Sequence, residues 1–83
     1  MTIQVRYFAS VREALGPGDS VEAPVGTTLA MLRDLLTRRS AAHAQQLARG
    51  RALRCALNQS LADESAVVPD GAEVAFFPPV TGG

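Results

Sequence analysis

The chain contains 83 residues with eight arginines, eight acidic residues and no lysine, so its formal net charge is zero. This length fits one small domain and excludes a two-domain enzyme with a cleft between its lobes. A composition of 47% hydrophobic and 19% charged residues is typical of a globular chain, and zero net charge argues against a nucleic-acid binder held by phosphate contacts. No apolar run approaches the roughly 20 residues of a membrane span, and the polar start is unlike a signal peptide, so we expect a cytoplasmic protein.

The first quarter of the chain predicts two strands that pair like a hairpin. Residues 2–9 alternate between apolar and polar side chains. The apolar positions of this run are Ile3, Val5 and Tyr7. Ser10 and Glu13 match a capping box and Gly16 follows closely, so we expect one short helical turn before the second strand. That second strand is predicted over residues 19–23.

Two helices are predicted next. Thr27 or Thr28 can cap a longer helix whose apolar stripe would pack on the sheet. The stripe is formed by Leu29, Leu32, Leu35 and Leu36. Arg38 and Arg39 are expected in the last turn, where cations suit the helix dipole. A second, shorter helix is predicted over residues 40–49.

The second half of the chain predicts the remaining strands. Alternating apolar residues over 53–57 predict a third strand, and residues 61–62 add a short strand after a turn at 58–60. A Pro-Asp-Gly turn at 69–71 precedes the last strand, at 73–77. Strands that flank one main helix predict an α+β fold, a single mixed sheet with that helix on one face. The pairing order of the strands stays open at this point.

The segment after the last strand reads Pro-Pro-Val-Thr-Gly-Gly. Pro78 and Pro79 remove two N–H donors and stiffen the segment, so it leaves the sheet on an extended path. Gly82 and Gly83 have no side chains and can approach a reactive group through a narrow channel. The α-carboxylate of Gly83 would stay unreactive until ATP-dependent adenylation creates a leaving group, and the chain has no glycine-rich phosphate loop. We therefore interpret the chain as a partner or carrier rather than a complete enzyme.

Three segments resemble one known family. They are residues 7–13, read as Tyr-Phe-Ala-Ser-Val-Arg-Glu, residues 56–61, read as Ala-Leu-Asn-Gln-Ser-Leu, and residues 70–83, which end in Phe-Phe-Pro-Pro-Val-Thr-Gly-Gly. These segments are similar to the small sulfur-carrier subunits of molybdopterin synthase, and together they cover both ends and the middle of the chain. The resemblance implies a ubiquitin-like β-grasp domain over residues 1–77 and an extended Gly-Gly tail over residues 78–83.

The resemblance also implies a reaction and a set of partners. An adenylating activating enzyme uses ATP on Gly83, and a sulfurtransferase step then makes a thiocarboxylate. The tail enters the large catalytic subunit and donates sulfur to cyclic pyranopterin monophosphate during molybdenum cofactor biosynthesis. The chain would be the non-catalytic sulfur donor of a heterotetramer, with no cofactor, nucleic acid or membrane bound to it.

Individual residue roles follow from the same resemblance. Gly83 would hold the sulfur, with Gly82 beside it. The remaining tail residues would direct the tail and line its contact with the partner: Pro78, Pro79, Val80 and Thr81. By strand alternation, Phe77 lies on the face opposite Val74 and Phe76, and we predict that it anchors the partner beside the tail. The alternative is that the first strand or a loop covers Phe77 within the domain.

The lone cysteine and the lone histidine are interpreted as non-catalytic. Cys55 alternates in register with two leucines, which favours a buried small hydrophobe over a sulfur carrier. His43 lies in a polar, alanine-rich segment without a neighbouring acid, so a solvated surface position is predicted. Neither residue can form an internal disulfide or a metal site alone.

Charge is distributed unevenly along the chain. Residues 35–62 contain five arginines and no acid, whereas residues 63–83 contain four acids and no base. This pattern predicts an acidic tail-bearing end that faces a basic partner site. The basic stretch has no interleaved aromatics and is interpreted as a solvated face rather than a nucleic-acid patch. Its segment 40–51 departs from the family pattern.

Three alternative functions stay open. A thiocarboxylate carrier for thiamine synthesis or tRNA thiolation shares the Gly-Gly ending but typically lacks the Phe-Phe-Pro-Pro that precedes it here. A ubiquitin-like modifier would form amide bonds to lysines of other proteins. An interaction domain with an inert tail is the third alternative.

Overall fold

Five strands and three helices make up the described part of the chain, residues 1–79 of a computed structural model. The strands are β1 (Thr2–Tyr7), β2 (Gly18–Glu22), β3 (Arg54–Leu57), β4 (Ser60–Ala62) and β5 (Glu73–Phe77). The helices are α1 (Ala9–Leu15), α2 (Leu29–Thr37) and α3 (Ala41–Leu47). Within residues 1–79, none of these helices is long and apolar enough to cross a membrane.

The five strands form one mixed sheet in the order β2-β1-β5-β3-β4. β1 pairs antiparallel with β2, which confirms the predicted hairpin, and parallel with β5. β3 is antiparallel to both β5 and β4. Parallel neighbours need a long crossover, and α2 and α3 lie within it. The mixed sheet with α2 packed on one face confirms the predicted α+β, ubiquitin-like β-grasp fold.

Strand alternation determines which side of the sheet faces the core. The buried side of β1 is formed by Ile3, Val5 and Tyr7, each at most 2% exposed. β5 buries Val74 and Phe76 on the same side, as predicted. α2 adds three fully buried leucines to this core: Leu29, Leu32 and Leu36. Phe77 consequently lies on the opposite face of the sheet, as predicted.

α1 begins two residues earlier than the predicted capping box requires. Pairing of the first strand with β5 continues to Phe8, whose N–H donates to the Phe76 carbonyl at 3.3 Å. Ala9 then turns the chain with a φ of +54°, in the left-handed region, and opens the helix. Ser10 therefore lies inside the first turn, so the predicted cap is wrong, and Phe8 occupies the N-cap position without a side-chain hydrogen bond. Gly16 ends the helix as predicted, with a φ of +88°.

α2 has the predicted N-terminus and a shorter C-terminus than predicted. The Thr28 hydroxyl accepts a hydrogen bond from the Met31 N–H at 3.2 Å, which confirms Thr28 as the cap. The helix ends one residue before Arg38, so the prediction that Arg38 and Arg39 occupy its last turn is wrong. Arg39 instead reaches across to β2, where it donates to the Ser20 carbonyl at 2.7 Å.

A buried arginine of α2 holds the carboxyl end of α3. The Arg33 side chain is 3% exposed, and its Nη1 lies 2.8 Å from the Glu64 carboxylate. Its other nitrogens donate at 2.6 to 2.8 Å to three main-chain carbonyls, those of Leu47, Ala48 and Arg51. A cation at this position suits the helix dipole and satisfies carbonyls that the end of α3 leaves without helical partners. α3 therefore stops at its seventh residue rather than continuing to residue 49 as predicted.

His43 is not a solvated surface residue as predicted, because it belongs to a polar cluster between the sheet and α3. The His43 side chain is 14% exposed, and its Nε2 lies 2.8 Å from the Asp19 carboxylate. Its Nδ1 lies 2.7 Å from the Ser40 hydroxyl, which also caps α3. The Tyr7 hydroxyl donates to the same Asp19 carboxylate at 2.7 Å. Asp19 and His43 are 24 residues apart in the sequence, so sequence proximity did not indicate this partner.

The polar cluster determines the ionisation of its members. Partial burial acts to raise the pKa of Asp19, but hydrogen bonds from His43 and Tyr7, aided by the charge of Arg39, outweigh it and lower the pKa. Burial, together with the hydrogen bond to Asp19, raises the pKa of the Tyr7 phenol above its usual range. Tyr7 therefore remains a protonated donor to an ionised carboxylate.

The hairpin of β3 and β4 turns over two residues. Asn58 and Gln59 have φ values of +50° and +71°, the left-handed conformations that tight hairpin turns require. Ser60 belongs to β4 rather than to the predicted turn, and β3 begins one residue later than predicted. These shifts do not alter the predicted order of elements.

We expect replacement of Arg33 with methionine to lower the free energy of unfolding by about 3 kcal/mol, because buried carbonyls and Glu64 lose their donor. Urea denaturation measures the change. The matched control is Arg38→Met at the exposed end of the same helix, for which we expect less than about 0.5 kcal/mol. Equal stability of the two variants would contradict the role given to Arg33.

We expect Asp19→Asn to be less stable than the natural protein at pH 7, with a gap that closes as the pH falls through about 4. The pKa of Asp19 is lower in the folded protein than in the unfolded chain. When the pH falls below the ordinary pKa of an aspartate, the unfolded chain therefore takes up a proton before the folded protein does. The stability that the ionised Asp19 contributes is therefore present above the ordinary aspartate pKa and is lost as the pH falls through the pKa of the folded state. Urea denaturation from pH 7 to pH 3 measures the gap, and a gap independent of pH would refute the assignment.

Candidate partner-docking face

The sheet face that points away from α2 carries an exposed apolar patch. Across the strands, Arg6 is opposite Ala75, Ala75 is opposite Ala56, and Ala56 is opposite Leu61. One row further along β5, Phe77 lies opposite Arg54, and Phe8 continues β1 on the other side. We define the outer-face patch by its five apolar members: Phe8, Ala56, Leu61, Ala75 and Phe77.

The outer-face patch is both apolar and accessible. Phe8 is 45% exposed and Leu61 is 70% exposed, whereas Ala75 and Phe77 are half-buried and Ala56 is buried. The patch lines an open groove of about 510 Å³ that Arg6, Gln59 and Glu73 border. Contiguous exposed apolar surface of this kind marks interaction sites more often than isolated residues do. Residues 1–79 leave part of Phe77 exposed, so the alternative that the first strand or a loop covers it fully is wrong for this part of the chain.

Of the five members of the patch, only Phe77 was singled out from the sequence, and the two large members that were missed are Phe8 and Leu61. Phe8 follows Tyr7 at the end of the first strand, and the alternation that buries Tyr7 places Phe8 on the outer face. Leu61 follows the tight turn into β4, and its register opposite Ala56 places it beside the patch. Alternation alone could have indicated Phe8, but Leu61 required the strand pairing.

Pro78 and Pro79 leave the sheet directly from this patch. Both are half-buried and lie outside β5, which confirms that the strand ends at Phe77 and that the prolines do not continue it. The other predicted tail residues, Val80, Thr81, Gly82 and Gly83, lie outside the described residues, and their roles stay predictions.

Charges around the patch differ from those predicted for the tail-bearing end. Arg6 and Glu73 form an ion pair at 3.9 Å, with about half of each side chain exposed. Arg54 is exposed beside Phe77, contributed by a different strand. The acidic segment, residues 63–83, does not determine the charge of this face. Glu64 is bound to Arg33, and the pairing of β3 with β5 brings the basic Arg54 beside Phe77.

Cys55 belongs to the core, as predicted. It is 4% exposed, and its thiol donates to the Ala62 carbonyl at 3.3 Å. Burial raises the pKa of the Cys55 thiol, which keeps it protonated and a poor nucleophile. Among residues 1–79, no group of three or more His, Cys, Asp or Glu side chains is arranged to hold a metal ion.

The sheet order, the crossover helices and the patch at the end of β5 define a ubiquitin-like β-grasp protein. The chain belongs to the ThiS family, whose profile matches residues 5–83. It is 42% identical over 81 residues to the molybdopterin synthase sulfur carrier subunit of Escherichia coli, a match that covers 98% of this chain and 99% of that protein. The resemblance read from the three sequence segments is thereby confirmed.

Solved structures agree with this assignment. The chain is similar to a structure described as a protein–protein complex of subunits 1 and 2 of molybdopterin-converting factor from Helicobacter pylori, with a TM-score of 0.70 and 27% identity over the full length of both chains. It is also similar in fold to small archaeal modifier protein 1 of Haloferax volcanii, with a TM-score of 0.78 and 23% identity over 95% of this chain and 98% of that one.

Proposed function

We propose that the chain is the sulfur carrier of molybdenum cofactor biosynthesis and the non-catalytic small subunit of a molybdopterin synthase. The observation that carries this proposal is the position of the outer-face patch, which ends at the residue from which Pro78 and Pro79 leave the sheet. A protein that binds the patch would therefore receive the tail as well. The full-length likeness to the Escherichia coli sulfur carrier supports the same function.

The reactive group in this proposal is the α-carboxylate of Gly83. Its oxygen attacks the α-phosphorus of ATP in an activating enzyme, and pyrophosphate leaves. A sulfur donor at the oxidation level of hydrosulfide then attacks the acyl carbon and displaces AMP, which leaves a thiocarboxylate. ATP belongs to the activating enzyme in this scheme, and a sulfurtransferase supplies the sulfur.

The second half of the proposal concerns delivery. The outer-face patch docks on the large catalytic subunit, Pro78 and Pro79 direct the tail, and Val80, Thr81 and Gly82 pass through a narrow channel. The thiocarboxylate sulfur is then given to cyclic pyranopterin monophosphate. The Helicobacter pylori structure, a complex of two subunits of molybdopterin-converting factor, supports the pairing of this chain with a second subunit.

We expect incubation with a cognate activating enzyme, ATP and a sulfur source to increase the intact mass by the difference between a sulfur and an oxygen atom. Fragmentation should localise the change to Gly83, because only that carboxyl group is activated. A variant without Gly83 is expected to show no mass change and no molybdopterin formation with the large subunit. Molybdopterin formation at the natural rate without Gly83 would refute the proposed function, and covalent attachment to protein lysines would favour a modifier.

We expect Phe77→Ala to weaken binding to the large subunit by more than about 1 kcal/mol, a greater than fivefold rise in Kd. Phe77 lies outside the buried core cluster, so the loss of fold stability should be smaller than for a core phenylalanine. The matched control is Met31→Ala, because Met31 is 51% exposed on α2, away from the patch. Isothermal titration calorimetry measures both variants, and equal affinities would remove Phe77 from the docking face.

A further inference from the structure

Arg54 occupies a special position at the edge of the outer-face patch. It lies directly opposite Phe77 in the antiparallel pairing of β3 and β5. Residues directly opposite in such a pair point to the same face, with Cβ atoms about 5 Å apart. The Cβ of Arg54 is therefore placed beside Phe77, the last strand residue before the chain leaves the sheet.

Half of the eight arginines form no ion pair with residues 1–79, and of these Arg12, Arg38, Arg51 and Arg54, Arg54 is the one that lies in a strand of the sheet. Four other arginines form ion pairs with carboxylates: Arg6, Arg33, Arg39 and Arg49. Arg54 is exposed and makes no side-chain hydrogen bond or ion pair with the described residues. Its donors are consequently available to an external group.

The nearest acids do not neutralise Arg54. Asp63 and Glu64 line a second groove together with Arg54, where β3 begins and β4 ends. Glu64 is bound at 2.8 Å by Arg33, and neither acid lies within ion-pair distance of Arg54. Glu73, on the opposite side of the patch, is paired with Arg6. The charge that borders Phe77 is therefore positive, although the segment that contains Phe77 is acidic in sequence.

We infer that Arg54 is a specificity contact, and that the partner presents a carboxylate beside the pocket that receives Phe77. This inference rests on the proposed function, because it takes the outer-face patch as the docking face. A guanidinium can bind a carboxylate through two parallel hydrogen bonds, which fixes orientation as well as charge. A charge at the rim of an apolar contact also accelerates association and makes it sensitive to salt.

The test measures binding to the large subunit by surface plasmon resonance at low and high ionic strength. We expect Arg54→Glu to raise Kd about tenfold at low salt, mainly through a slower association rate, and Arg54→Gln to raise it about threefold. Salt should reduce both effects, because screening weakens exposed charge pairs. The matched control is Arg38→Glu, which changes the net charge equally at the exposed end of α2 and should change Kd less than twofold.

Including Phe77→Ala in the same series distinguishes failure of this inference from failure of the docking face. Thermal unfolding verifies that each variant is folded. Natural affinity of Arg54→Glu, with weaker binding of Phe77→Ala, would overturn the inference and leave the proposed function intact. Equal weakening by Arg54→Glu and Arg38→Glu would overturn it in favour of a general charge effect. Natural affinity of both Arg54→Glu and Phe77→Ala would overturn the docking face itself. If Arg54→Glu does not fold, Arg54→Gln decides between the same outcomes.

Discussion

The parallel pairing of β1 with β5 is the constraint on which the rest of this structure depends. Parallel strands end at the same edge of a sheet, so the register that pairs Tyr7 with Phe76 also brings Phe8 beside Phe77. Those two aromatics are separated by most of the chain, yet they form one apolar surface. An antiparallel pairing of the same strands would leave the two aromatics at opposite ends of the sheet. The aromatic part of the outer-face patch therefore depends on this one pairing.

A parallel pair must be connected by a crossover, and two polar contacts position α3 within it, one from α2 and one from the sheet. Arg33 binds the carboxyl end of α3, and the Asp19 carboxylate binds the His43 ring near its amino end. Both contacts bury charge and are compensated by several hydrogen bonds, which is the condition under which buried charge is tolerated. The alanine-rich α3 buries only one large side chain, Leu47, so its position depends on these polar anchors more than on apolar packing.

The sequence predicted the elements that local patterns define and failed where partners come from distant segments. Alternation in the first and last strands correctly predicted the buried faces, and the last strand was predicted with its observed bounds. The capping box at Ser10 was wrong because the strand pairing of Phe8 with β5 decides where α1 begins. His43 was predicted to be solvated because Asp19, its partner, is remote in sequence. Arg33 was not recognised as buried, since an arginine on a helix is ordinarily exposed and only the packed α3 supplies its acceptors.

The structure also bears on how carriers with the same glycine ending are distinguished. Two glycines carry no side chains, so a channel that accepts them can recognise only the narrow backbone and the charge of the terminal carboxylate. Discrimination between carriers must then come from the folded domain, and the surface nearest the tail is the outer-face patch. On that surface the apolar members supply contact area, whereas Arg54 and the Arg6–Glu73 pair supply the directional features that an apolar contact lacks. In the proposed function, affinity and specificity thus come from different residues of one sheet face, and the tail supplies the reactive group.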